Sequence, residues 1–90
     1  MTSIIEKESA ILSRLINPEN GDWSKDAAES ILKLRFPSDD TARMNLLAEK
    51  AREGSLSPEE QAETEGYMRA GRLVELLQSK ARTSLKRAAA

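Results

Sequence analysis

The chain reads as an all-α protein of about four helices, the last much the longest. Three observations predict this. Apolar residues recur at three- and four-residue spacing along most of the sequence. β-branched residues are scarce and never alternate as a half-buried strand requires. Pro18 and Pro37 fall between the periodic stretches and Pro58 at the start of the last. At 90 residues the chain is expected to form one helical domain, 1–90.

The first helix is expected over Ser3–Ile16. Ile4, Ile5, Ile11, Leu12, Leu15 and Ile16 give a wide apolar stripe, and Ser3 with Glu6 three residues on is a fair cap. The segment Asn17-Pro18-Glu19-Asn20-Gly21-Asp22 then breaks the chain. It resembles a calcium loop only loosely, because glycine and glutamate miss the offsets such a loop needs.

A short second helix follows Ser24, with Ala27, Ala28, Ile31, Leu32 and Leu34 on its apolar side and Phe36 ending it before Pro37. Trp23, just ahead of the cap, is placed to pack back over the first turn. Ser38 or Asp39 is expected to cap a third helix that runs to about Glu53. Met44, Leu47, Ala48 and Ala51 line its face and Gly54 supplies the left-handed residue after it.

The fourth helix has the clearest start. Ser57 suits the N-cap, Pro58 the first helical position, and Glu60 the reciprocal place in a capping box. No proline follows, so the helix is expected over about 58–87, packed by the three shorter N-terminal helices. Tyr67, Ala70, Val74, Leu77, Ala81, Ser84 and Ala88 form a heptad-like seam in which small residues alternate with large ones, and Leu73, Leu76 and Leu85 widen it. Gly66 and Gly71 lie inside the pattern, where they either admit a close neighbour or mark a bend. The seam suits an ordinary core helix and a helix that meets a partner equally well.

Composition removes several function classes. The chain has no cysteine and no histidine, which excludes disulfides and leaves only carboxylates for zinc, a poor set. No cofactor or metal is expected. A domain this small is marginal alone, so oligomerisation is the staple that remains, and a homodimer is the first expectation. The first ten residues lack the basic start and apolar run of a signal peptide, and no apolar stretch approaches the length of a membrane span. A cytoplasmic location fits. Three aromatics, Trp23, Phe36 and Tyr67, are too few for a base-stacking platform.

The net charge of −1 conceals an asymmetry: residues 48–66 carry a net −4 and residues 67–90 a net +5. The helix dipole accounts for acids at the start of the last helix and bases at its end. It accounts poorly for Arg69 and Arg72, which sit mid-helix and point to ion pairs or an acidic partner.

Catalytic chemistry finds little footing. Without histidine or cysteine, a nucleophile would be Ser, Thr, Lys or a carboxylate with an unconventional base. Asp39 and Asp40 are adjacent, so their side chains diverge and suit a helix start better than paired-acid chemistry. Glu59, Glu60 and Glu63 share a turn, but further metal ligands are not evident. The basic end, Lys80 to Arg87, is the candidate binding patch. A solvated helix end, an acidic protein surface and phosphate contact all compete for it.

The runs 28–36 and 42–60, then Tyr67 and 76–86, within a span of about two thirds of the chain, resemble a family of small, mostly uncharacterised all-helical bacterial proteins. Genes of that family often sit beside genes for HNH-type nucleases. The resemblance implies a nuclease-associated partner, antitoxin or inhibitor, and no residue inherits a catalytic role from it. The favoured expectation is a non-enzymatic interaction module working through the long helix. Tyr67, Val74 and Leu77 would dock, while Arg69, Arg72, Lys80, Arg82, Lys86 and Arg87 supply charge. The alternative is a nucleic-acid-binding helical protein that uses the basic end.

Overall fold

The computed structural model describes residues 4–89, with side chains from Lys7 onward. The expected cap at Ser3 and the side chains of Ile4 and Ile5 lie outside the described residues. Four helices follow in order: α1 (Ile4–Ile16), α2 (Lys25–Leu32), α3 (Ser38–Arg52) and α4 (Pro58–Ala89). No strand occurs among the described residues. At 32 residues, α4 is about 48 Å long at 1.5 Å per residue. The contacts fall into two compact units. The first joins Met1–Leu34 to Gly71–Ala90, and the second is Arg35–Ala70.

In the second unit, α3 packs on the early turns of α4. The chain turns between them through a Schellman arrangement. Gly54 has φ +68, its N–H donates to the Ala51 carbonyl, and the Ser55 N–H donates to the Lys50 carbonyl. The capping box then starts α4 as the sequence predicts: the Glu60 N–H donates to Ser57 Oγ at 3.1 Å, and the Ser57 N–H donates to Glu60 Oε1 at 3.0 Å. The N-cap position of α3 is Pro37, with no side-chain cap, so neither Ser38 nor Asp39 does that work. The acids of its first turn still meet the positive end of the helix dipole.

The apolar face expected for α3 is only partly the buried one. Leu47 is 1% exposed and Met44 half-buried, whereas Ala48 and Ala51 face solvent. Asp40, Arg43 and Lys50 occupy the half-buried positions instead. The reason is the facing stretch of α4, which offers Glu60, Glu63 and Tyr67. Polar side chains with partners there are better placed than alanines without any.

In the first unit, α1 and α2 pack on the later turns of α4. Its buried positions are Ile16, Ala28, Lys80, Ala81 and Ser84. Ala28 and Ala81 are fully enclosed, which lets backbones approach closely. The loop after α1 approaches as closely. A Cβ on Gly21 would stand 2.8 Å from the Thr83 carbonyl oxygen, so glycine is required by contact with α4 backbone. Asn17, at φ 48, makes the left-handed exit from α1.

One expectation is corrected in this unit. The second helix stops at Leu32, not Phe36. Three-residue hydrogen bonds from the N–H groups of Lys33 and Leu34 tighten its end, and Gln78 Nε2 donates to the Ile31 and Leu34 carbonyls. Trp23 is tied to α4. Its backbone N–H donates to Ser84 Oγ at 3.2 Å, and its ring lies 5.0 Å from the Lys80 ammonium. The Ser24 cap itself is present, accepting from the Ala27 N–H.

The seam residues differ along α4. Val74 and Leu77 are half-buried, Ala81 and Ser84 buried, and Ala88 exposed within the first unit; in the second, Tyr67 is half-buried and Ala70 exposed. The glycines of α4 answer to no close neighbour, because a Cβ at Gly66 or Gly71 meets nothing within 4 Å. Gly71→Ala is therefore expected to stabilise by about 1 kcal/mol through helix propensity. Thermal unfolding followed by circular dichroism checks this, and a drop in Tm would contradict it.

Candidate functional site

Lys80 lies at the centre of the first unit. It is 6% exposed, with its ammonium 2.8 Å from the Ile16 carbonyl oxygen, 2.9 Å from Asp22 Oδ1 and over the Trp23 ring. One cation thus satisfies the last buried carbonyl of α1, pairs with a loop carboxylate and covers an aromatic face. The hydrogen bond from Lys80 holds the Asp22 carboxyl below its ordinary range. The sequence offers Lys80 as a surface contact; the structure turns it inward.

The remaining predicted binding residues divide. Arg72 donates to Ser9 Oγ at 3.0 Å, and Arg87 to the Glu19 carbonyl at 3.3 Å, both from exposed positions. Arg69, Arg82 and Lys86 are exposed and make no ion pair among the described residues. Arg82 and Lys86 sit one turn apart on α4. Val74 and Leu77 lie half-buried in the first unit, and Tyr67 is engaged within the second.

The second unit holds a charge network that the sequence did not pair. Arg43 binds Glu63 in fork geometry, with Nε and Nη2 each 2.8 Å from a carboxylate oxygen. Its Nη2 also stands 3.8 Å from Glu60, which accepts from the Lys50 ammonium. Arg43 depresses Glu63, and Glu63 in turn raises Arg43. Glu60 is held down to about 2, first by the Lys50 hydrogen bond and then by the Ser57 N–H. Glu60 and Glu63 of α4 are thus ion-pair partners of α3. Among the described residues, no cluster of three metal-ligating side chains occurs.

A pH prediction follows from Glu60. Its carboxyl titrates lower when folded than when unfolded, so its stabilisation is complete above about pH 4.5 and is lost as pH falls toward about 2. Glu63 and Asp22 shift in the same direction. Denaturant unfolding at several pH values should show stability falling across that window, with a shallower fall in Glu60→Gln. An equal slope in the variant would remove Glu60 from the cause.

Beside this network, the Tyr67 hydroxyl donates to Asp40 Oδ1 at 2.7 Å, which pushes the phenol above its ordinary value. The Tyr67 ring meets Phe36 edge-on, with centroids 6.1 Å apart at 71°. Phe36, Asp40, Glu63, Gly66, Tyr67 and Ala70 line an open groove of about 330 Å³. This groove was missed in the sequence. Phe36 looked like a helix end, and Asp40 like part of a cap.

Large apolar side chains are also left in solvent. On α1 they are Ile11, 54% exposed, and Leu15, 76% exposed, one turn apart. In the second unit they are Leu46 and Met68. No helix among the described residues is long and apolar enough to cross a membrane. Comparison with family models, curated proteins and solved structures returned no match.

Proposed function

We propose that the chain is a protein-interaction module without turnover of its own, most concretely an antitoxin-like partner or inhibitor of an HNH-type nuclease. The observation that carries the interaction reading is the pair Ile11 and Leu15, apolar side chains one helical turn apart and more than half exposed. A chain this small loses stabilisation by leaving such side chains in water, and a docked surface would recover it. Arg82 and Lys86, exposed on α4, would steer an acidic partner. The nuclease rests on the resemblance of 28–36, 42–60, Tyr67 and 76–86 alone. A homodimer is the other form of the same reading.

The test is co-expression with an HNH-type nuclease encoded beside the gene, followed by co-purification and a DNA-cleavage assay. The expected result is a defined complex with slowed cleavage, broken by Leu15→Glu in a variant that keeps its helical circular dichroism. Light scattering across a concentration series reads the homodimer. A persistent monomer with no nuclease complex would overturn the proposal. Steeply salt-dependent DNA binding, lost in Arg82→Ala with Lys86→Ala, would replace it with the nucleic-acid reading.

A further inference from the structure

We propose that the groove of the second unit is a receptor for one arginine side chain presented by a partner protein. Four observations carry this, and the proposal rests on the reading of the chain as an interaction module. First, Phe36 and Tyr67, whose rings meet edge-on, line the groove, and a guanidinium stacks on aromatic side chains. Second, its charge is unbalanced by a single carboxylate. Glu63 is neutralised by Arg43 and Glu60 by Lys50, whereas no ion pair among the described residues uses Asp40. The Tyr67 hydroxyl occupies Asp40 Oδ1, which fixes the carboxylate without cancelling its charge. One negative charge beside two rings calls for one cation with a flat, weakly hydrated body, which describes arginine better than lysine.

Third, the floor is kept low by Gly66, where a Cβ would meet nothing within 4 Å. No neighbour in this unit requires glycine there, and glycine in a helix interior costs about 1 kcal/mol against alanine. A side chain at this position would stand in the groove that Gly66 lines. Fourth, the groove is open. An enclosed pocket buries most of a free small ligand, whereas an open one suits a side chain held in place by the surface that bears it.

The test titrates N-acetyl-arginine amide into the isotopically labelled full chain and follows amide resonances by NMR. The expected result is saturable shifts centred on Phe36, Gly66, Tyr67 and Ala70, absent with the neutral isostere N-acetyl-citrulline amide. Asp40→Asn keeps an acceptor for the Tyr67 hydroxyl and should weaken binding about tenfold, equivalent to about 1.4 kcal/mol. Gly66→Leu should abolish binding while raising helix stability, so loss of fold cannot imitate loss of binding. Shifts of equal size with citrulline, shifts spread over all acidic residues, or binding unchanged in Gly66→Leu would each overturn the groove. The amide assay needs no partner. A nuclease complex without arginine-amide binding overturns this inference alone. Arginine-amide binding with no protein complex overturns the function proposed above and leaves the groove standing.

Discussion

Lys80→Met should lower stability by about 2–3 kcal/mol, the scale of a lost charged hydrogen bond and a cation–π contact partly offset by methionine packing. For a chain of this size the Tm would fall by roughly 10–20 °C. The Ile16 carbonyl would lose its donor, Asp22 its cation and the Trp23 ring its cover. Removing one partner of a buried polar contact is costlier than never having had the pair, because the other is left desolvated. Asp22 is 59% exposed and can return to water, so Asp22→Asn should cost clearly less than Lys80→Met. Urea unfolding followed by Trp23 fluorescence measures both. If Lys80→Met matches the parent, desolvation of the ammonium cancels its three contacts and Lys80 locks nothing.

Leu47→Ala should cost about 2–5 kcal/mol, the range for emptying a buried leucine site. Leu47 is the one buried apolar side chain of the second unit among the described residues, so no apolar neighbour there is as well placed to absorb the loss. Ion pairs with Arg43 and Lys50 would remain, but half-exposed pairs contribute little by themselves. Residue-resolved hydrogen exchange separates this variant from Lys80→Met. Leu47→Ala should first release the amides of α3, and Lys80→Met those of α1. Equal loss of protection across all four helices in both variants would mean that the two units open as one.

The helix count and most boundaries were legible because they rest on local chemistry. The Ser24 cap, the Ser57–Glu60 box and the left-handed Gly54 each involve residues within a few positions, and all three are present. What sequence reasoning missed depends on distant partners. Asp40 suits a helix start in the sequence, and nothing local marks Arg43 or Lys50 until Glu60, Glu63 and Tyr67 are set opposite them. Lys80 looks like part of a basic helix end, and only the fold brings Ile16, Asp22 and Trp23 to it. Of the apolar stripe of α1, the described side chains divide: Ile16 is buried and Leu12 half-buried, while Ile11 and Leu15 are exposed. The sequence could not say that Ile11 and Leu15 would stay uncovered while Ile16 was buried. The proposed groove needed Phe36 and Gly66, residues that periodicity assigns to a helix end and an unfavourable helix position.

The first unit is built from stretches far apart in sequence, and this bears on how the chain is made. The side-chain hydrogen bonds between its α4 turns and its N-terminal segment join residues 44 to 68 positions apart, against 10 to 27 for the side-chain pairs between α3 and α4. Contacts that close short loops form early, and contacts across long ones wait. On a ribosome, α3 and the first turns of α4 can therefore close while translation continues. The helices made before them have no surface to land on until residues 71–89 have emerged. Through that interval the nascent chain carries Ile11, Leu15, Ile16 and Trp23 in the open, the stage at which a chaperone or a waiting partner would meet them first.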